Sequence, residues 1–381
     1  MNESQPPRRV RYYPVARTAH LERQATNVEA WLLYSRTRDD FDESVLASSS
    51  YVVRRNLVGV LRFIWKQEFS IIEIPEPLAI RLWPQILTVC GFVSFKNFVR
   101  RKKIALVTYA IENFDPVVKL ANYTPLSPQV SGLLSKVVLR AILNRLSRIV
   151  FGTKSSLDLY EQVARTAYTS WSCEVDVVEA LPVATEAEPN KEDGMVCFVG
   201  SLEERKGVLQ LLESWRLVSQ LNAEARLILI GDGPLKGDVI DAESRIPSIT
   251  YLRDVDRSQV LETISRSKTL VLLSQRTSVW REQIGLPILE GLQRGCEIVA
   301  TTETGIQEWL EGHGHFVIEP DADIQTIASA IDTSLRSSRR PAEIQAELPK
   351  LDGREAADIR MFSKSSVPDD DKIRRSGDKR E

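Results

Sequence analysis

Histidine is nearly missing from this chain: there are three among 381 residues, His20, His313 and His315. The last two share the string Gly312–His315. No third ligand stands nearby, so that string reads as a loop and no metal is expected. Cysteine is almost as scarce. Cys90, Cys173, Cys197 and Cys296 are scattered without C-x-x-C spacing, which argues for reduced thiols in a cytoplasmic protein rather than a disulfide or zinc framework. Long apolar runs are missing too. The longest, Leu82–Phe95, is interrupted by Pro84 and is too short to span a bilayer. The opening "MNESQPPRRVRYYPVA" puts no apolar run behind its basic residues, so no signal peptide is expected there. Net charge is −2. Without a global basic field, nucleic acid is not an expected partner.

What remains is ordinary globular composition, 43% hydrophobic and 27% charged, in a chain too long for one typical core. Strand-like runs alternate with helical spacing along most of its length. "RVRYYPVA", "FSIIEIPEP", "IALVTYAI", "RIVFGT" and "CEVDVVEAL" read as strands, and "SVLASSS" as a further one. "NVEAWLLYSR", "NLVGVLRFIWKQ", Leu78–Arg101, "GLLSKVVLRAILNRLS" and "SLDLYEQVART" read as helices. Such alternation predicts a parallel sheet covered on both faces. The polar stretch Pro182–Gly194 then marks a domain boundary, and a second alternation follows. The fold class expected is α/β, with two tandem Rossmann-like doubly wound domains and a cleft between them. The first domain is set at 1–184, the linker at 185–194, the second domain at 195–340, and a polar segment at 341–381. From about Ser365 that segment is charged and poor in apolar residues, hence expected to be disordered. The basic "KNFVRRKK" directly follows Leu82–Phe95. A core-facing helix with a solvated basic end is the favoured reading, and peripheral contact with an anionic membrane face is the other.

In open α/β sheets, ligands sit beyond the carboxyl ends of strands. The loop after "TLVLLSQ" reads "RTSVWREQIGL" and leads into the helix "PILEGLQRG". Pro287 suits the first helical turn, and Gly285 lets a ligand approach the backbone. Free N–H groups at about Leu286–Ile288 would make an anion site suited to phosphate. Glu282 and Glu290 stand eight residues apart around it. Two carboxylates so spaced can flank a diphosphate, with Glu290 accepting from a ribose diol and Glu282 reaching to the other side.

This stretch resembles the E-x7-E motif of retaining glycosyltransferases of family 4 (glycosyl transferases group 1), which have the two-Rossmann GT-B fold. The family often reads E-G-F-G-L-P-x-L-E-A, and here stands E-Q-I-G-L-P-I-L-E-G. "FVGSLEERKGVLQLLESW", "LILIGDGP" and "GCEIVATTETGIQEWL" match its other blocks in order. The resemblance covers Met195 to about Ile331; in the first domain only element order is similar. It implies that Lys206 binds the donor diphosphate, Glu290 the nucleotide ribose and Glu282 the donor sugar. The backbone of Gly285, Leu286 and Pro287 would cradle phosphate or sugar oxygens, with Gly233 in the G-x-G-P turn. The usual arginine after V-G is Ser201, and Arg205 is the candidate replacement. Many members carry a histidine after the fourth strand of the first domain. Here "TYAIENFDP" has none, and Glu112 is the candidate acid/base or sugar contact. No cofactor is implied. The partners implied are a nucleoside-diphosphate sugar and a sugar or lipid-linked acceptor in polysaccharide or glycoconjugate synthesis, at the cytoplasmic side of a membrane.

Other readings stay beside this one. A non-catalytic nucleotide-sugar-binding or scaffold protein fits Ser201 and the missing histidine, and a sugar-nucleotide epimerase would share the fold. Gly231, Gly233 and Gly237 suggest a dinucleotide turn, but G-x-G-x-x-x-G departs from the fingerprint. Asp40–Asp42 and Asp254–Asp256 mimic D-x-D metal motifs, and charged loops explain them as well.

Overall fold

Runs of Val, Ile and Leu that are apolar at consecutive positions, rather than alternate ones, need cover on both faces. The chain supplies it twice. The computed structural model describes residues 7–25, 29–38, 41–42, 44–45, 51–167, 173–185 and 190–363. The first sheet contains β1 (Arg9–Ala16), β2 (Trp31–Thr37), β3 (Val52–Arg54), β4 (Ile71–Glu73), β5 (Ala105–Ala110), β6 (Arg148–Phe151) and β7 (Glu174–Val177). Their order is β3-β2-β1-β4-β5-β6-β7. The second contains β8 (Glu192–Val199), β9 (Arg226–Ile230), β10 (Ile249–Leu252), β11 (Ser267–Leu272), β12 (Glu297–Thr301) and β13 (Phe316–Ile318), in the order β10-β9-β8-β11-β12-β13. Neighbouring strands in both sheets run parallel. β6 and β12 are buried at every position, as strands covered on both faces must be. Order reverses between β1 and β4 and between β8 and β11, and those two switch points open a crevice at the strands' carboxyl ends.

The first domain's helices are α1 (Thr18–Ala25), α2 (Leu57–Lys66), α3 (Trp83–Arg100), α4 (Pro116–Tyr123), α5 (Pro128–Leu143) and α6 (Lys154–Thr166). The second's are α7 (Val208–Leu221), α8 (Lys236–Arg245), α9 (Arg257–Arg266), α10 (Leu286–Gln293), α11 (Gln307–Gly312) and α12 (Ile324–Arg336). Each domain has its own core, around Ile72, Val89 and Ile149 in one and Phe198, Trp215 and Leu270 in the other.

Two expectations change, and a third region gains detail. Asn27–Arg36 has helical spacing, yet Trp31–Thr37 is β2, paired on both sides with β1 and β3. A short apolar run buried on both faces carries no period that separates strand from helix. The helix expected at Leu78–Arg101 starts at Trp83 after a 3-10 turn at Ile80–Leu82, because Pro84 fits only a first turn. The polar segment from 341 folds as far as residue 363, into α13 (Pro341–Ala346) and α14 (Gly353–Met361). α14 returns to the first domain and lays Ala357, Met361 and the following Phe362 against Val107, Tyr109 and Val150. The strand expected at "SVLASSS", Asp40 and the charged tail from about Ser365 lie largely or wholly outside the described residues. So does part of the linker, 186–189.

Candidate active site

The loop after β8 and the turn after β9 are stitched together. Gly200 N–H donates to Ile230 O (3.0 Å), Leu202 N–H to Asp232 O (3.0 Å) and Leu235 N–H to Leu202 O (2.9 Å). Gly231 is required by this packing, since a Cβ there would lie 1.8 Å from Gly200 O. A Cβ on Gly233 would lie 2.6 Å from Leu202 O. The glycine turn that suggests a dinucleotide site is thus filled by the neighbouring loop. The brace presents the 3-10 turn Glu204–Lys206 at the carboxyl end of β8.

Lys206 Nζ meets Glu282 Oε2 in an ion pair whose side chains are 13% and 11% exposed. Ser274 Oγ donates to the same oxygen (3.1 Å). Trp280 lies against both neighbouring cations, 4.4 Å from Arg205 Cζ and 4.9 Å from Lys206 Nζ. Arg205 is already engaged: its Nε donates to Glu203 Oε2 (2.6 Å). That contact with Arg205 leads the causes holding the Glu203 carboxyl below its usual range, and Ser201 adds a smaller one. Ser201 and Arg205 therefore share Glu203.

α10 begins at Gly285, whose φ of +87° favours glycine. Ile288 N–H is taken by Gly285 O (2.9 Å), and Pro287 has none. That narrows the expected Leu286–Ile288 donor set. At the helix mouth the amides of Gly285 and Leu286 have no hydrogen-bond partner among the described residues, and Leu286 is 70% exposed. Glu290, one turn in, pairs with Arg257, which is 66% exposed.

A third loop braces the second. Thr301 Oγ1 donates to Ser274 O (2.5 Å) and Thr304 Oγ1 to Ile284 O (2.6 Å). Glu303 holds Arg281 (2.8 Å) and Arg276 (3.1 Å). A Cβ on Gly305 would lie 2.0 Å from Gln283 O. The "ATTETGIQEWL" block marks this loop in the sequence, but not its bracing role.

The first domain meets this assembly directly. Asn113 Nδ2 donates to Glu282 O (2.7 Å), Asn122 Nδ2 to Ser278 O (2.8 Å), and Lys154 pairs with Glu308 (3.2 Å). A cleft of about 640 Å³ opens between the domains, with Phe114, Asp115 and Val118 on one side and Arg276, Arg281 and Gly305 on the other. Lys206, Glu282 and Glu290 are not in its walls, although Arg281, next to Glu282 in the chain, is. Its size suits a small ligand.

Glu112 is buried and its carboxylate pairs with Lys119 (2.8 Å). Its N–H, with that of Ile111, donates to Glu76 Oε1 (2.7 and 2.9 Å), and Tyr160 OH reaches the same oxygen (3.3 Å). Burial, then the Glu112 charge, pushes the Glu76 carboxyl up to about 8. Glu76 was not among the sequence candidates. Its only signal is its place just beyond a strand, in "IEIPEP".

The remaining candidates are structural. Asp256 N-caps α9 by accepting from Gln259 N–H (2.9 Å). Asp42 accepts from Ser44 N–H (2.8 Å). His313 stacks on Trp309 at 4.0 Å, and His315 is buried 3.2 Å from Glu297.

Residues 184–349 match the family described as Glycosyl transferases group 1. The resemblance carried by the motifs is thereby shown over the second domain. Among curated proteins, the Arabidopsis thaliana sulfoquinovosyl transferase SQD2 is 28% identical over 178 residues, 44% of this chain and 32% of that protein. The Escherichia coli O-antigen chain mannosyltransferase B is 27% identical over 182 residues, 45% of this chain and 46% of that protein. The matched segment thus spans about a third to a half of the curated relatives' lengths. Among solved structures, the lipopolysaccharide outer core galactosyltransferase WaaB is similar with a TM-score of 0.62 at 11% identity, covering 94% of this chain and 100% of that one. Anabaena HepE in complex with UDP gives 0.60 at 14%, covering 93% and 95%. At such identities the likeness speaks for the fold, which is the two-domain GT-B architecture.

Proposed function

We propose that this chain is a retaining glycosyltransferase that moves a sugar from a nucleoside-diphosphate sugar to a carbohydrate or lipid-linked acceptor. One observation carries the reading: Lys206 and Glu282 pair beside the open amides of α10, with Glu290 one turn into that helix. A departing diphosphate gains negative charge. Lys206 and the helix mouth can meet that charge without a metal, and such preorganised groups are worth most in the transition state. Glu282, drawn off Lys206 by the incoming phosphate, accepts from donor-sugar hydroxyls. Glu290, drawn off exposed Arg257, accepts from the ribose diol. The structurally similar HepE is seen in complex with UDP-glucose, and a uridine nucleotide is the first ligand to try here.

In the reaction, the bond between the anomeric carbon and the β-phosphate oxygen breaks. The acceptor hydroxyl attacks from the same face, and its proton passes to the leaving phosphate. No side chain need then act as base. Glu112 suits a sugar-binding role once Lys119 is displaced from it. The cleft beside Asn113 and Val118 is the space for the acceptor.

A thermal-shift screen with UDP, GDP, ADP, dTDP, CMP and NAD tests the reading, with Glu290→Ala and Lys206→Ala as controls. A ligand at 100 times its Kd stabilises by about 2.7 kcal/mol. The expected result is a shift by one nucleoside diphosphate in the wild type that both variants lose. No shift by any nucleoside diphosphate sinks it. The scaffold reading rests on Ser201 and Arg205 both being turned to Glu203, which leaves Lys206, paired with Glu282, as the one cation of that turn not hydrogen-bonded to Glu203. Binding of donor with neither transfer nor donor hydrolysis favours that reading.

A further inference from the structure

α5 wears its sequence inside out. Ser131 and Ser135 are buried, while Val130, Leu133, Leu134 and Val137 are 49%, 65%, 40% and 60% exposed. Their spacing is that of one helical stripe, and it faces away from the core. α3, which packs beside α5, repeats the anomaly at its last turns: Phe95 and Phe98 are 54% and 84% exposed. Exposed apolar stripes on two neighbouring helices exceed the scattered single residues that a solvated surface normally shows.

Charge identifies the cover. From Pro77 to Leu157 the chain holds Lys or Arg at twelve positions and acid at two, Glu112 and Asp115. The whole chain has a net charge of −2, so the rest of it is strongly acidic. Both acids lie in the loop by the cleft, and Glu112 is buried. The apolar stripes are bordered instead by Arg100, Arg101 and Arg140, all exposed. A second copy docking by twofold symmetry would set this basic face against itself. An anionic bilayer surface matches both properties, taking the apolar side chains into its headgroup boundary and the cations among its phosphates.

We infer that the α3–α5 face of the first domain docks on an anionic membrane surface. The sequence directs attention to α3 and its basic end alone; the stripe on α5 emerges only once burial is known. α5 follows α4, whose Val118 lines the cleft and whose Asn122 touches Ser278. A docked α5 therefore brings the cleft rim close to the bilayer, where a lipid-linked acceptor would reside. That consequence rests on the transferase reading, whereas the docking does not.

The test is flotation of the full chain with phosphatidylcholine vesicles, with and without phosphatidylglycerol, at low and high salt and without donor or acceptor. The expected result is binding to the phosphatidylglycerol vesicles that salt weakens. A Leu133→Ser/Val137→Ser variant and, separately, a Phe98→Ser variant should each bind about tenfold more weakly with unchanged melting temperature. Absence of flotation overturns the inference, and so does flotation that neither variant alters. A wild-type dimer in sedimentation equilibrium that Leu133→Ser/Val137→Ser dissociates also overturns it, by assigning the stripe to a second copy. UDP binding, measured on the same preparations, reports on the transferase reading by itself.

Discussion

The two domains share a plan but place their charged groups differently. In the second, the charged groups at the crevice sit in loops after β8 and β11. They are held by partners nearby in space: Lys206 with Glu282, and Glu290 with Arg257. In the first, the charges lie under α14. Asp358 accepts from Arg23 Nε (2.8 Å) and pairs with Arg11 (2.7 Å). Glu73 accepts from Tyr13 OH (2.7 Å) and meets Arg23 at 3.1 Å. Burial alone would raise the Glu73 pKa, but Arg23 and Arg11 outweigh it and hold the carboxyl low. On the proposed reading, one set of charges receives a ligand. The other fastens the end of the chain to its beginning.

The largest expected effect is at that fastening. Asp358→Ala leaves Arg11 and Arg23 buried against no carboxylate from α14, a loss of about 3–5 kcal/mol for a buried pair broken on one side. Urea unfolding measures it. A change below about 1 kcal/mol would mean that the network behaves like a solvated surface pair, and the contrast between the domains would fall. Next comes Glu282→Ala, expected to lower transfer about 100-fold or more while the unfolding midpoint moves little. Steady-state turnover within a few-fold of wild type would remove Glu282 from the chemistry.

The same contrast governs what the sequence could disclose. Glu282, Gly285, Pro287 and Glu290 lie within nine residues, and a strand, a glycine and a proline place them on a loop and a helix start. That information is local and can be read. Asp358 is 335 residues from Arg23, and no spacing links them. Glu76 becomes unusual only because the 111–115 loop folds onto it, and Asn113 matters only because Glu282 O lies 2.7 Å away. β2 was hidden for the same reason, since both its neighbours are distant in sequence or bring no period of their own. The strand–helix alternation also implied a crevice, because strand ends in doubly wound sheets face one way, but none of Glu282, Gly285, Pro287 and Glu290 lines the cleft.

A smaller effect separates the two carboxylates of the motif. Glu290→Ala is expected to weaken nucleoside-diphosphate binding by about 1.5–3 kcal/mol, the range for hydrogen bonds to a charged group. Arg257→Ala should leave affinity unchanged or slightly improved, because an ion pair with so exposed a partner contributes little and must open before ribose enters. Titration calorimetry decides both. A loss of affinity in Arg257→Ala would place the arginine, rather than the carboxylate, on the ligand.

The smallest effect probes where the domains meet. Glu76 holds the backbone of Ile111 and Glu112, and thereby the loop that puts Asn113 on Glu282. Its carboxyl titrates at about 8, against 4.5 for the free group. Between those values the folded protein holds a proton that the unfolded chain has released. Stability should therefore decline as pH rises through that interval, and stop declining above it. Glu76→Gln keeps an oxygen for both N–H groups and removes the titration. Relative to wild type, it should gain about 1–2 kcal/mol between pH 5 and pH 8, a figure reduced from the full shift because Glu76 is partly exposed. Parallel pH profiles of unfolding for the two proteins would show that Glu76 is charged throughout. In that case the anchor of the 111–115 loop is an ordinary carboxylate, and the first domain's contribution to the crevice does not depend on proton uptake.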